Sequence, residues 1–446
     1  MRRASRSFLK GALAACALAF APAAIAQAPQ EWKPETFELA NGMRAVVLPD
    51  HRAPVVTHMI WYRVGASDEV KGKSGLAHFL EHLMFKATDK IAAGEYSKIV
   101  ARNGGQDNAG TSNDFTNYHF RIAKDRLPQM MEMEADRLVN LKLAEAEVVS
   151  ELKVVQEERR QNVDSNPGSV LEEKVMAAMF PGHPYSIPVI GHMDEVAKLT
   201  QADAVDWYKT WYGPENAILV VAGDITAAEL KPLAEKIYGP VARRGDLKVR
   251  KWPEIKPIAK SLALSHSDPK VRQPSWSRNW IGGPVGGPDS EALQVGLEVL
   301  GGGRTSRLYR ELVEKNIAVN SYAYNMEMEA GGSITLAVSP NLGVSLDEAK
   351  TAMLVVADRF LKEGPTPEEL TRAKKRMAAS EIFARDNQVG MANWYGSLLV
   401  TGQPIERIEG WGARIQAVTR EQVVAALNKY MTGVNHIDAT LLPGKT

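Results

Sequence analysis

Cysteine is nearly absent: a chain of 446 residues holds one, Cys16, close to its N-terminus. No disulfide can therefore form within the molecule, and a metal would have to be held by histidine and carboxylate. Charge of one sign is missing as well. The 54 basic and 53 acidic side chains leave a net charge of +1, and no basic run marks a surface for nucleic acid or anionic membrane. Long hydrophobic runs are lacking except for Gly11–Ile25, which is short for a membrane span. It follows Arg2, Arg3, Arg6 and Lys10 and ends at the small triplet Ala24-Ile25-Ala26. Residues 1–26 thus read as a cleavable export signal, which predicts a periplasmic or secreted protein without stable membrane insertion.

With 45% hydrophobic residues, the remaining length can bury two cores. Strand-like segments at Phe37–Leu39 and Met43–Leu48 flank the turn Asn41-Gly42. Val55–Val64 and Thr111–Ile122 also have strand composition, and Ala217–Ala222 reads as a buried strand. Helical patterns cover Leu76–Phe85, Tyr96–Arg102, Leu127–Arg160, Val170–Phe180, Thr200–Trp211 with Thr200 as cap, and Ala227–Ile237. After a Pro-, Arg- and Lys-rich stretch the order repeats, with strands before and after helices and a last strand at His436–Leu442. The expected fold is α+β: two homologous halves, each a mostly antiparallel sheet covered by helices on one face. The expected boundaries are 27–240 for the first domain, 241–260 for a linker and 261–446 for the second domain.

Chemistry concentrates in Gly75-Leu76-Ala77-His78-Phe79-Leu80-Glu81-His82-Leu83-Met84-Phe85. Apolar residues cover most of this helix, so it should be buried, and burying three ionisable groups is costly unless they bind something. His78, Glu81 and His82 stand at i, i+3 and i+4, about 5–6 Å apart on one face. Two imidazoles one turn apart can close on one metal ion, and Glu81 beside them can handle a proton. That is the H-x-x-E-H pattern, the inverse of H-E-x-x-H. A polar core cluster without metal is the bland alternative. A catalytic zinc usually takes three protein ligands, and the residues alone leave Glu151, Glu157 and Glu158 open for the third.

Gly75–Lys86 together with the later ELKVVQEERR segment resembles the pitrilysin family of zinc metallopeptidases. Glu158 lies 76 residues beyond His82 (158 − 82), with Glu151 seven before it, and the family places its ligand Glu and a further functional Glu at about these intervals. Further similarity lies at Gly104-Gly105, Asn108-Ala109, Thr111, Phe180–Tyr185, Tyr212–Asn216 and Gly301-Gly302-Gly303. The resemblance implies one Zn2+ per chain held by His78, His82 and Glu158. It makes Glu81 the catalytic base and leaves Glu151 to support a ligand or touch substrate. It also implies that Asn108 and Ala109 lie on an edge strand where a peptide substrate adds as an extra strand; as bare sequence they read equally as a turn.

One departure matters. Complete enzymes of the family carry an Arg and a Tyr seven residues apart in the second half, and here those places hold Val313 and Asn320. The expectation is a zinc-bearing subunit of an endopeptidase that joins a related zinc-less chain as a heterodimer, or failing that a homodimer. A structural subunit of the same fold is the other class of reading.

Overall fold

The computed structural model describes residues 33–246 and 249–444, so the signal reading of residues 1–26 lies outside the described residues. The first sheet contains β1 (Glu35–Glu38), β2 (Arg44–Pro49), β3 (Val55–Tyr62), β4 (Gln106–Thr111), β5 (Thr116–Ala123) and β6 (Ala217–Gly223), ordered β1-β2-β6-β3-β5-β4. The second contains β7 (Leu262–Asp268), β8 (Ser275–Gly282), β9 (Ala318–Glu327), β10 (Gly332–Pro340) and β11 (Ile437–Pro443), ordered β7-β11-β8-β10-β9. Among the described strands only β2–β6 and β7–β11 pair in parallel. Without β1, the two sheets are one topology used twice, as the repeated order of elements implied.

Helices α1 (Leu76–Leu83), α2 (Tyr96–Arg102), α3 (Leu127–Asn140), α4 (Glu145–Arg159) and α5 (Pro167–Met179) follow in the first half. Alternation along the strands sends Ala45, Val47 and Ile60 towards α1, α3 and the helices Gln201–Trp211 and Ala227–Ile237. Thr200 caps the third of these, its hydroxyl accepting the Asp203 N–H. The second sheet has its own helices packed the same way, including Ser290–Gly301, Leu346–Glu363 and Arg420–Met431.

Each sheet's opposite face is covered too, by a helix lent from the other half. Val46, Leu48, Met59 and Trp61 pack on Met391, Tyr395 and Leu399 of helix Gln388–Val400. In return, Leu171, Val175 and Met179 of α5 pack on Ile437 and Ala439 of the second sheet. Residues 386–417 carried no expectation from the sequence, yet they form helices Gln388–Val400, Ile405–Glu409 and Trp411–Ala417. Thr111–Ile122 is not one strand. It breaks at Ser112–Phe115, where the Ser112 hydroxyl accepts the N–H groups of Asp114 (3.2 Å) and Phe115 (3.1 Å), the local bonding that makes Ser a turn residue. The hairpin so formed leaves β4 at the sheet edge.

Candidate metal centre

Helix α1 starts from a forced turn. Gly75 has φ 85°, and a Cβ there would lie 2.6 Å from the Ile190 carbonyl oxygen, so only glycine fits. The Glu69 carboxylate accepts the N–H groups of Gly75 (2.9 Å) and Ala77 (2.8 Å), satisfying donors that a helix start leaves open. Leu76, Ala77, Phe79, Leu80 and Leu83 are buried. The helix is nonetheless not buried all round, because His78, Glu81 and His82 face a cavity of ≈ 790 Å³.

Glu158 arrives from α4, two residues before the backbone widens into a π turn at Arg160–Asp164. Wider turns of this kind recur at functional sites. Arg159, buried beside it, donates to both carboxylate oxygens of Glu173 on α5 (2.9 and 3.0 Å) and to the Gly191 carbonyl, which fixes the end of α4. Glu158 Oε2 lies 3.2 Å from His82 Nε2 and 3.7 Å from His78 Nε2. Glu157 points elsewhere, to Arg160 (3.0 Å) and Gln161 (3.0 Å). Glu151 is two turns back, its Oε1 2.9 Å from His82 Nδ1, and it also pairs with Lys86. Glu81 Oε2 accepts the Thr111 hydroxyl at 2.6 Å, tying α1 to the edge strand β4. Exposed Asn108 and half-buried Ala109 lie on that strand and line the same cavity. Met326, from β9 of the other half, closes part of its wall.

Burial, with the neighbouring His82, presses the His78 imidazole down to about 3. Burial would lower His82 as well, but the Glu151 hydrogen bond and the charges of Glu81, Glu158 and Glu151 raise it above its usual value. Burial lifts the Glu81 carboxyl above the ordinary glutamate range, against the Thr111 hydrogen bond and the pull of His82. Burial also acts upward on Glu151, where His82 and Lys86 outweigh it and hold the carboxyl low.

His78, His82 and Glu158 offer three ligand atoms within 4.8 Å of one another. Tetrahedral zinc with bonds of about 2.0–2.2 Å needs its ligand atoms about 3.3–3.6 Å apart, and the observed 3.2 and 3.7 Å lie just either side of that range. Two imidazoles and a carboxylate are a donor set suited to zinc, so the residues present fit the ion.

Among the described residues the second half has no such set. Laying the buried positions of α1 (Leu76, Ala77, Phe79, Leu80, Leu83, Met84) over those of helix Ser290–Gly301 (Ala292, Leu293, Val295, Gly296, Val299, Leu300) puts Gln294 at His78 and Glu298 at His82. Counted from the caps Ala144 and Thr366, Ser380 falls at Glu158. Glutamine, glutamate and serine there could not repeat the ligand set.

Two family models match the chain. Residues 44–192 match "Insulinase (Peptidase family M16)" and residues 198–377 match "Peptidase M16 inactive domain". The chain belongs to peptidase family M16. The zinc protease PqqE of Helicobacter pylori is 28% identical over 421 residues, covering 92% of this chain and 93% of that protein. A crystal structure of a protease from Helicobacter pylori superposes with a TM-score of 0.87 at 26% identity, over 92% of this chain and all of that one. Subunit 1 of the mitochondrial cytochrome b-c1 complex of Rattus norvegicus is 26% identical over 412 residues, covering 88% of this chain and 82% of that protein. The M16 model described as inactive spans Gln294 and Glu298, which stand at two of the ligand positions, and ends three residues before Ser380. Sequence reasoning missed Glu69, Lys86, Arg159 and Asn162, the last donating to Glu158 Oε1 at 3.3 Å. Lys86 could have been found one turn after His82; Glu69 had no local signal.

Proposed function

We propose that this chain is the zinc-bearing subunit of a metalloendopeptidase, and that a related zinc-less chain completes its substrate site. The observation that carries the reading is the three-ligand cluster His78, His82 and Glu158 beside Glu81, in a cavity bounded by an edge strand. A zinc ion held there supplies Lewis acidity, polarising a carbonyl group and bringing the pKa of water to about 7. The chain's own residues do the rest. Asn108 and Ala109 on β4 hold an extended peptide by main-chain pairing. Thr111 fixes Glu81 through Oε2 and leaves Oε1 to take a proton from the attacking water and return it to the leaving amine. Glu151 orients His82.

The partner is inferred from what stands in place of the family's Arg/Tyr pair. Val313 is half-buried against the second core, and Asn320 is exposed on β9. Export to the periplasm follows from the signal-like residues 1–26, and among the described residues no helix is long and apolar enough to cross a membrane. The likeness to a cytochrome b-c1 subunit favours a second reading, a scaffold subunit without catalysis.

Metal analysis and peptidase assays separate the readings. We expect about one zinc per chain, with full activity only after a zinc-less relative is added. Glu81→Gln should keep the zinc and slow hydrolysis by about 10²–10⁴. Full activity from the chain alone would end the two-chain model. Hydrolysis unchanged in Glu81→Gln would end the peptidase assignment.

A further inference from the structure

A second cavity, of ≈ 450 Å³, lies in the second half where the metal centre lies in the first. Gln294 and Glu298 line it from helix Ser290–Gly301, Ser380 from helix Pro367–Ala384, and Trp394 and Leu398 from helix Gln388–Val400. Glu327, the last residue of β9, also lines it. The hairpin pairings Thr111–Thr116 and Glu327–Gly332 make Glu327 the counterpart of Thr111, which holds Glu81 in the first half. The duplication has thus kept the concavity and replaced the metal ligands.

The walls say what the cavity would take. One side is apolar: the indoles of Trp394 and Trp411 meet edge to face at 6.1 Å, with Met377, Leu398 and Ile408 around them. The three cations in the wall are already used. Arg407 and Arg414 pair with Glu291 at 3.1 and 2.6 Å, and Arg376 is held by Glu298 and the Gly302 carbonyl. Glu327 is the carboxylate left over. It accepts the Ser290 hydroxyl (2.6 Å) and the Asn325 side-chain amide (3.0 Å), and it makes no ion pair within 4 Å among the described residues. Burial, with Glu291 nearby, raises its carboxyl above the ordinary glutamate range against the Ser290 and Asn325 hydrogen bonds and the pull of Arg407, and a cation from outside would relieve the penalty that is left. An anion would meet Glu327 and Glu298 with no free cation to receive it. A cation on an apolar stem meets two indoles and a carboxylate outside any ion pair at once.

We infer that this cavity is a second binding site, separate from the metal centre, for an alkylammonium or alkylguanidinium group such as a lysine or arginine side chain. The inference does not depend on whether the first half hydrolyses peptides.

The test uses the full zinc-loaded chain carrying Glu81→Gln, titrated calorimetrically with acetyl-Ala-Ala-Lys-Ala-Ala-amide and with its norleucine analogue. The lysine peptide should bind about tenfold more tightly. Glu327→Gln should abolish that preference while the norleucine affinity stays the same, and Ser380→Phe, which fills the cavity, should abolish it too. Each variant is checked for an unchanged thermal transition. His82→Ala, which dismantles the metal centre, should leave the preference intact. Cadaverine as competitor tells the source: displacement by the free diamine at equal concentration means a small amine suffices, and failure to displace means a peptide-borne side chain; both support a cation site. Equal affinity for the two peptides overturns the inference. So does a preference that survives both Glu327→Gln and Ser380→Phe, or one that disappears with His82→Ala.

Discussion

His78 and His82 are the same side chain one turn apart on one helix, yet their surroundings push their protons in opposite directions. His78 has a buried Nδ1 with no hydrogen-bond partner among the described residues, and burial together with the neighbouring His82 pushes it down. His82 has Glu151 on Nδ1, which fixes the ring and leaves Nε2 facing Glu158. Removing a group that orients a ligand histidine typically costs 10–100-fold in metal affinity. Glu151→Ala should therefore weaken zinc binding by about that factor in a chelator competition, and Glu151→Gln, which can still accept from Nδ1, by less. A different histidine sets an acid limit on the fold. His58 is fully buried, stacked on Phe120 at 4.4 Å, with Nε2 2.8 Å from the Tyr238 hydroxyl. Burial, then Arg137, presses it from 6.5 to about 3. Above pH 6.5 it is neutral folded or unfolded and costs nothing. As pH falls from 6.5 towards 3, the unfolded chain gains a proton the folded chain refuses, and stability is lost. By pH 4.5 the loss should approach about 3 kcal/mol. Denaturant unfolding at pH 7.5 and 4.5 checks this: His58→Gln should show a smaller drop than the parent chain.

The elements differ in how plainly they announce themselves. Helix α1 was legible because three ionisable groups interrupt an apolar helix at one-turn spacing. Thr200–Trp211 was legible because a cap precedes a periodic run. Helix Gln388–Val400 was not: its buried residues Met391, Ala392, Tyr395, Gly396, Leu399 and Val400 form one stripe, but Val389, Trp394 and Leu398 on the remaining surface are apolar as well, which leaves no clear polar face to set a period. It is buried in this way because it serves the other half's sheet, a relation between distant segments that local pattern does not carry. Its closest approach is at Gly396, where a Cβ would lie 2.1 Å from Trp61 Nε1. Trp61 is itself fully buried on β3, so neither side has room to yield. Gly396→Ala should lower the unfolding free energy by about 1–3 kcal/mol. Trp61→Phe made in the same chain should cost less than the two single changes added together, since the residues touch. A strictly additive pair would mean that helix and sheet are not packed as described.

At the scale of the whole molecule, the duplication was visible in the order of elements, whereas the way the halves hold each other was not. The segment expected as a linker has no regular structure in its described part, yet one of its side chains is as buried as a core residue. Arg250 and Asp68 have side chains only 3% exposed, and Arg250 joins Asp68 (2.9 Å) in the first half to Glu329 (2.7 Å) in the second. It also donates to the Asp114 carbonyl. Around it, Asp114 accepts the Tyr185 hydroxyl and the Glu329 N–H, each at 2.8 Å, and Tyr185 lines the metal-centre cavity. In sequence these residues lie far apart, and a single Arg in a basic stretch reads as a solvated charge. Breaking a buried pair by removing one partner costs about 3–5 kcal/mol, because the other charge stays buried. Arg250→Met should show that loss in denaturant unfolding at pH 8. The same variant makes a second, sharper demand. Burial already raises Asp68 to about 6 against the opposing pull of Arg250, so removing the arginine raises it further. The carboxyl of the variant then takes up a proton as pH falls through that range, and the uncompensated charge disappears. The penalty of Arg250→Met relative to the parent should therefore shrink from pH 8 to pH 5; a penalty of equal size at both would show that Arg250 acts by packing rather than by charge.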